Sequence, residues 1–205
     1  MAKEVKDSST EEKIKNAARV IFHQKGFAGT RTRDIAEASG INLALLNYYF
    51  RSKEKLFDLI MTESLEVFFR SLHSVFNDPT TDFEEKIRRI VENYIDNLSA
   101  NPNIPIFILS ELRNHPEELI KKTGAKKVFL DSVFMKQLKE EIEAKRIKPI
   151  HPLQFIMNLL GMTVFPFVAS PMIKGIGAID QAEFESLMQE RKTIIPDWIK
   201  SFLTP

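Results

Sequence analysis

Positive charge surrounds one uncharged segment of this sequence without entering it. Residues 42–50, NLALLNYYF, contain no ionisable charge at neutral pH, and cations lie on both sides, at Arg31, Arg33, Arg51, Lys53 and Lys55. Guanidinium and ammonium groups bind phosphates, whereas the amide of Asn47 can pair with the N6 and N7 atoms of adenine. Leu43 and Ala44 can pack on thymine methyl groups. The pattern predicts a segment that holds nucleic acid by its flanks and reads it with its centre.

The distribution of charge along the chain agrees with this prediction. The formal net charge is only +1. Residues 1–57 contain 11 lysines and arginines against 7 aspartates and glutamates, whereas the remainder contains 18 against 21. The basic part of the chain therefore coincides with the segment flanked by cations, as expected of a nucleic-acid-binding region.

Three short helices are predicted around this segment. The first has an apolar face at helical spacing and ends at Gly26; the face is formed by Ile14, Ala17, Ala18, Ile21 and Phe22. A second helix ends at Gly40, and Asn42 caps a third. In the third helix Leu46 and Phe50 face inward. Four other residues then lie on its outer face: Leu43, Ala44, Asn47 and Tyr48. Two short helices joined by a glycine turn match the helix-turn-helix.

Residues 26–57 follow the pattern G-F-x-x-T-x-T-R-D-I-A-x-x-x-G-I-x-x-x-x-L-x-Y-Y-F-x-S-K-E-x-L-F. This pattern resembles the N-terminal helix-turn-helix domain of TetR-type regulators, and the likeness extends back to residue 14. The resemblance implies a homodimer in which each subunit places its third helix in a major groove of an inverted-repeat operator. It further implies a C-terminal helical bundle that holds a small molecule and thereby weakens DNA binding.

The resemblance also assigns roles to single residues. Thr32 and Arg33 match positions that contact a phosphate and a base, and Lys53 matches a phosphate contact. The exposed face of the recognition helix is matched by Asn42, Leu43, Ala44, Asn47 and Tyr48, and Tyr49 matches a backbone-contacting aromatic or histidine. Asn47 replaces a frequent tyrosine and Leu43 a frequent polar or basic residue, so the base sequence that is read does not follow from the family.

The remainder of the chain predicts an all-α fold. Residues 1–51 would form the DNA-binding domain, and residues 52–205 a helical domain for ligand binding and dimerisation. A fourth helix from residue 53 to about 76 is long enough to connect them. Further helices are predicted over residues 82–100, 104–114, 116–146, 155–172 and 183–195. The helix predicted over residues 116–146 is loosened around Gly124. A loop is predicted at Gly175 and Gly177, and Pro196 starts a last short piece.

Aromatic and polar residues of the C-terminal part are candidates for a ligand site. They are Tyr94, Phe107, Glu111, Phe129, Phe134, Asn158 and Met162. For the phenylalanines and methionines, ordinary core packing is the simpler interpretation. Glu111, His115 and His151 could bind a metal, but an ion pair beside a helix end is the simpler interpretation of the first two, and no metal or cofactor is predicted. Apolar residues over 159–167 and at Leu187, Met188 and Ile194 suggest a four-helix dimer interface.

Several classes of protein are disfavoured by what the sequence lacks. Without cysteine there is no disulfide or thiolate site, and no motif of a hydrolase, nucleotide-binding enzyme or zinc protease occurs. No signal peptide is visible, and the apolar segment 155–172 is interrupted by polar and proline residues, so a cytoplasmic protein is expected. Two alternatives to a ligand-released repressor stay open: a ligand-independent DNA-binding protein, and a helical metabolite-binding protein or enzyme without DNA binding.

Overall fold

Every regular element in the part of the chain that the computed structural model describes is a helix, which confirms the all-α prediction. That part comprises residues 2–114 and 116–205, with the backbone alone for residues 2–8, 23, 24 and 122. The helices are α1 (Ala2–Gly29), α2 (Thr32–Ser39), α3 (Leu43–Phe50), α4 (Lys53–Asn77), α5 (Phe83–Ala100), α6 (Ile104–Asn114), α7 (Pro116–Thr123), α8 (Ala125–Phe129), α9 (Val133–Glu143), α10 (Pro152–Thr163), α11 (Phe165–Val168), α12 (Ser170–Gly177) and α13 (Gln181–Leu203).

The chain divides into two compact units, Met1–Ser64 and Leu65–Pro205. The division falls inside α4, so this helix contributes residues to both units. The sequence suggested a boundary before α4, between residues 51 and 52, and that assignment stays a prediction. Among the described residues, no helix is both long and apolar enough to cross a bilayer.

The first unit is a three-helix core completed by the start of α4. Its centre is apolar and fully buried, with Ile14, Phe22, Ile35, Leu46, Leu56 and Ile60. Gly26, at φ 67°, breaks the helical backbone of α1, and Gly40, also at φ 67°, turns the chain between α2 and α3. Glu63 of α4 accepts hydrogen bonds from Lys15 at 2.9 Å and Arg19 at 3.1 Å, which fastens α4 to α1.

The second unit packs its helices around a cluster of phenylalanines. Phe134 lies 5.4 Å, between ring centroids, from each of Phe76, Phe83 and Phe155. At the rim, ion pairs join α13 to α5, from Lys200 to Glu84 and from Lys192 to Asp96. The apolar cluster supplies the main stabilisation, because exposed ion pairs contribute little.

Four sequence predictions about the second unit were wrong in detail. Residues 116–146 form three helices, because Gly124 adopts φ 62° and Ser132 starts α9 by capping it. The apolar segment 155–172 is divided among α10, α11 and α12, with a proline near the start of each helix.

Gly175 and Gly177 do not form a loop, because both lie in α12, and the chain leaves that helix through Ala178 at φ 51°. Pro196 lies inside α13 and does not begin a new piece. The buried side chains of Ile195 and Ile199 hold both halves of α13 against the core, which offsets the lost backbone hydrogen bond.

Two glycines of the second unit give a matched test of how backbone conformation affects stability. Gly124→Ala should lower the free energy of unfolding by about 1 kcal/mol, because φ 62° is strained for alanine. Gly175→Ala should raise it by about 0.5–1 kcal/mol, because alanine favours helix. At neither site does an added Cβ meet a heavy atom within 4 Å, so packing does not separate the two variants. Urea denaturation measures both, and changes of the same sign would contradict the assignment.

Candidate nucleic-acid interface and ligand pocket

The turn between α2 and α3 fixes the angle at which the two helices leave it. The Gly40 backbone N–H donates to the carbonyl of Glu37 at 3.1 Å, and that of Ile41 donates to Ala36 at 3.0 Å. The buried side chains of Ile35 and Leu46 then pack α2 and α3 into the same core. This is the helix-turn-helix arrangement that the sequence predicted, in which the second helix is presented to DNA.

The outer face of α3 is uncharged and accessible. Ala44 and Asn47 are exposed, and Tyr48 is 78% exposed, while Leu43 and Tyr49 are half-buried. Leu46 and Phe50 are buried on the opposite side, as their spacing predicted. Leu45 is exposed as well, and the sequence analysis did not include it in this face. Its position beside Ala44 at the start of the helix was the signal that could have identified it.

Asn42 has a structural task at the start of α3. Its side-chain Oδ1 accepts a hydrogen bond from the Leu45 backbone N–H at 2.8 Å, so it caps the helix. The oxygen is therefore used within the protein, and a contact between Asn42 and DNA would be made by its amide NH₂ group. Capping keeps the first turn of α3 ordered where it would meet a phosphate or base.

The start of α2 carries the other candidate contacts. Thr32 is half-buried at the first helical position, and Arg33 is exposed beside it. The Asp34 carboxylate accepts hydrogen bonds from Lys25 at 2.9 Å and from the Arg31 backbone N–H at 3.3 Å. These two bonds, the one from Lys25 foremost, hold the pKa of the Asp34 carboxyl below its ordinary value. Asp34 thus orders the helix terminus on which Thr32 and Arg33 lie.

Lys53 is held inside the first unit more firmly than a simple phosphate contact requires. Its ammonium Nζ donates to the carbonyl oxygens of Phe27 at 2.9 Å and Thr30 at 3.1 Å. It also lies 4.1 Å from the centroid of the Phe27 ring, which packs 4.9 Å from the ring of Phe57. An ammonium group has three donors, so a phosphate could occupy the third. Lys53 therefore positions the start of α4 whether or not it touches DNA.

Arg51 has a backbone conformation that the sequence did not indicate. It ends α3 at φ 59°, and its N–H donates to the Asn47 carbonyl at 2.9 Å. Glycine adopts positive φ without strain, whereas an arginine there costs about 1–2 kcal/mol. The strained position nevertheless carries an exposed cation beside the recognition helix.

An apolar pocket of about 460 Å³ lies within the second unit. Helices α4, α5, α6, α7, α8, α10 and α11 contribute to its wall. The lining includes Phe68, Phe69, Leu98, Leu109, Phe129 and Leu160, and it contains no ionisable side chain other than the phenol of Tyr94 among the described residues. The volume falls within the range of small-molecule sites. Most of these aliphatic residues were not identified from the sequence, because an apolar helix stripe looks the same whether it faces a core or a pocket.

Tyr94 is one of two residues with a hydroxyl group among those that line this pocket. Its side chain is buried, and its hydroxyl has no hydrogen-bond partner among the described residues. Burial raises the pKa of the Tyr94 hydroxyl well above its ordinary value, so the group stays neutral. A buried hydroxyl without a partner costs about 1–3 kcal/mol, which makes it a group that a ligand could satisfy.

The other ligand candidates lie in different environments. Tyr94 and Phe129 line the pocket, but Phe134 belongs to the phenylalanine core and Asn158 is exposed on α10. The remaining candidates are half-buried and outside the pocket lining: Phe107, Glu111 and Met162. None of these ligand assignments is tested by a bound molecule, and all stay predictions.

The alternative metal site also stays open. His115 lies outside the described residues, so the proposed set of Glu111, His115 and His151 cannot be assembled. Over the described ranges, no group of three or more histidine and acidic side chains is placed to hold a metal ion. His151 instead caps α10, where its Nδ1 accepts from the Leu153 backbone N–H at 3.2 Å.

Known proteins share both the motif and the fold. Residues 14–60 match the family model for bacterial regulatory proteins of the tetR family. The chain is 27% identical over 198 residues to the HTH-type transcriptional regulator RutR of Escherichia coli (strain K12), covering 94% of this chain and 92% of that one. It is 26% identical over 170 residues to the "Probable HTH-type transcriptional regulator YttP" of Bacillus subtilis (strain 168), covering 82% of each.

A solved structure extends the likeness to the whole fold. The transcriptional regulator FadR from Bacillus subtilis, in complex with stearoyl-CoA, superposes with a TM-score of 0.56 at 19% identity. The match covers 90% of this chain and 96% of FadR. At this identity it supports the fold alone.

The accessible α3, its ordered turn and these relatives define a helix-turn-helix transcriptional regulator. Within that class residues 14–60 match the TetR type, as the motif over residues 26–57 predicted. Regulators of this type bind DNA and small molecules.

Lys53 gives a test of whether its main role is structural. Lys53→Met should lower the free energy of unfolding by about 1–3 kcal/mol, because it leaves the carbonyls of Phe27 and Thr30 without their donor. Lys55→Met, at an exposed position two residues away, should change it by less than about 0.5 kcal/mol. Thermal unfolding followed by circular dichroism measures both. If Lys53→Met lost DNA affinity but kept full stability, a phosphate contact would be its principal role.

Proposed function

We propose that the protein is a homodimeric repressor that leaves its operator when a small molecule binds the second unit. The proposal of DNA recognition rests on one observation: the outer face of α3 is exposed and uncharged, with cations near both of its ends. The pocket in the second unit supports release by a ligand and disfavours the ligand-independent alternative. FadR, which shares the fold, was solved with stearoyl-CoA, so the fold can accommodate a small-molecule complex.

Hydrogen bonds to bases would be divided between two side chains. Asn47 is exposed on α3, where its amide could form two hydrogen bonds with an adenine in the major groove. Arg33, at the start of α2, would contact a second base, and Ala44 and Leu43 would pack on thymine methyl groups. Thr32, Tyr48, Tyr49 and Lys53 would contact the backbone or the groove wall. The half-site would therefore contain at least one A·T pair beneath Asn47.

Exposed apolar stripes support a dimer. On α10, Leu153 and Met157 are exposed one turn apart. On α13, Leu187 and Trp198 are exposed on one stripe, with the half-buried Ile194 between them. Two such helices from each subunit would form a four-helix interface around a twofold axis. Leu159 and Met188, which the sequence analysis offered for this interface, are already buried within the single chain.

Helix α4 would carry the signal between ligand and DNA. Lys53 ties its first turn to the backbone before α2, and Phe68 and Phe69 of the same helix line the pocket. Recognition helices in successive major grooves must lie about 34–36 Å apart, so a small tilt of α4 would spoil the register. A coupling free energy of about 1–3 kcal/mol would suffice for several-fold to hundred-fold release.

The proposed regulator would act in the cytoplasm, because a regulator of transcription acts where the bacterial chromosome is. The proposal includes no catalytic role. An enzyme of similar fold would need a nucleophile and a base within hydrogen-bond reach. Among the described residues, the wall of the apolar pocket offers only the neutral hydroxyls of Tyr94 and Thr123.

Selection of bound duplexes from a random pool tests the DNA-binding part of the proposal. The expected product is an inverted repeat with half-sites one helical turn apart. Asn47→Ala should remove the preference for adenine at one position per half-site, a loss of discrimination of about 1–3 kcal/mol. Arg51→Gly should instead weaken binding to all duplexes by the same factor and reduce the salt dependence of binding. It deletes a cation but keeps the backbone N–H that bonds the Asn47 carbonyl at the end of α3. Uniform weakening by Asn47→Ala would refute its role in base reading.

The dimer is tested by two methionines that are equally exposed. Met157 on α10 and Met172 on α12 are each 56% exposed in the single chain. Met157→Glu should convert the dimer to a monomer, because it would bury an unpaired carboxylate at the interface. Met172→Glu should leave the dimer intact. Sedimentation velocity measures the oligomeric state, and a wild-type monomer, or the same outcome for both variants, would contradict the proposed interface.

A further inference from the structure

We propose that the pocket of the second unit takes an electrically neutral, mainly aliphatic or aromatic molecule with a single hydrogen-bond acceptor, which pairs with Tyr94. This inference rests on the proposed function, because it names the chemical class of the ligand that would release DNA. It is carried by the composition of the pocket wall and by the buried, unpartnered hydroxyl of Tyr94, one of the residues that line the pocket.

The described wall of the pocket offers no charged partner to a charged group placed against it. Apart from Tyr94, the described residues that line its 460 Å³ include no acid, no base and no amide side chain. A carboxylate or phosphate placed there would lose its hydration and gain no cation in return. An apolar body would instead lose water-exposed surface against Phe68, Leu98 and Leu160.

The two hydroxyls of the wall differ in what they can still do. Thr123 Oγ1 donates to the Leu119 carbonyl at 2.7 Å, within its own helix. The Tyr94 hydroxyl has no partner among the described residues, and its ring contacts Phe68 at 5.5 Å between centroids. Tyr94 is thus the donor that a ligand carbonyl, ether or hydroxyl oxygen would satisfy. A ligand with many polar groups would leave most of them buried and unpaired.

A pair of probes with the same carbon chain tests the charge preference. Isothermal titration calorimetry with n-decanol and with decanoate, at pH 7.5 and on the full-length protein, compares a neutral and an anionic head group. We expect n-decanol to bind at least about tenfold more tightly than decanoate. Decanoate binding as tightly as n-decanol, or no binding of either probe, would overturn the inference.

A pair of variants tests the role of Tyr94. Tyr94→Phe should weaken n-decanol about fivefold, because one hydrogen bond is lost, while raising the stability of the ligand-free protein. Ser99→Ala is the matched control: Ser99 Oγ is also buried without a partner among the described residues, but Ser99 does not line the pocket. It should leave n-decanol affinity unchanged. Equal affinity of wild type and Tyr94→Phe would overturn the assignment of Tyr94.

Release of DNA is measured separately, so that the two proposals can fail independently. Calorimetry decides which chemical class the pocket binds. Fluorescence anisotropy with the selected duplex then decides whether saturating n-decanol lowers DNA affinity. Binding of n-decanol without release would leave the ligand class standing and overturn its role as the releasing molecule.

Discussion

The ammonium group of Lys53 is the interaction on which the geometry of the DNA-binding unit depends. It joins the first turn of α4 to the carbonyls of Phe27 and Thr30, the residues that lead into α2. Since α2 and α3 share one core, fixing the start of α4 against that segment also fixes the recognition helix. The ammonium also lies over the Phe27 ring, on which the Phe57 ring packs, so a cation–π attraction adds to the two hydrogen bonds.

In the proposed interface, most of the groups that would bind the DNA backbone are separate from the groups that would contact bases. The charged residues lie on both sides of α3 in the sequence and not within it. One of them, Arg51, has a positive φ, which glycine would adopt without strain. Strain of this kind persists where the surrounding structure imposes it, and it is frequent at functional sites. The outer face of α3 presents an amide, a phenol and apolar groups, none of them charged, so base contacts by this helix would not depend on ion pairs.

Local patterns predicted the first unit well because short-range constraints determine it. Gly26 and Gly40 adopt positive φ, Asn42 caps α3, and Leu46 and Phe50 are buried, all of which follow from neighbours within a few residues. The second unit was harder. Pro196 stays inside α13 because distant core contacts hold both flanks, which no local rule reveals.

The residues that line the pocket were also hard to predict from local sequence patterns. Phe129 lines the pocket and Phe134, five residues later, lies in the solid core, although the two are chemically identical. Asn158 sits in an apolar sequence but is exposed, because its neighbours on α10 alternate between buried and open faces. Whether a helix face lines a pocket or packs in the core depends on how several helices pack together. Local sequence patterns do not predict that packing.

If the pocket binds the proposed ligand, the unpaired Tyr94 hydroxyl affects how much of the regulator a cell contains. An empty apolar pocket and an unsatisfied donor lower the stability of the free protein, and any molecule that fills both adds RT ln(1 + [L]/Kd) to it. Proteases remove the unfolded fraction, so a ligand-bound population is turned over more slowly. The released form would then accumulate during exposure to the ligand, and on its withdrawal a larger stock of regulator would return to the operator.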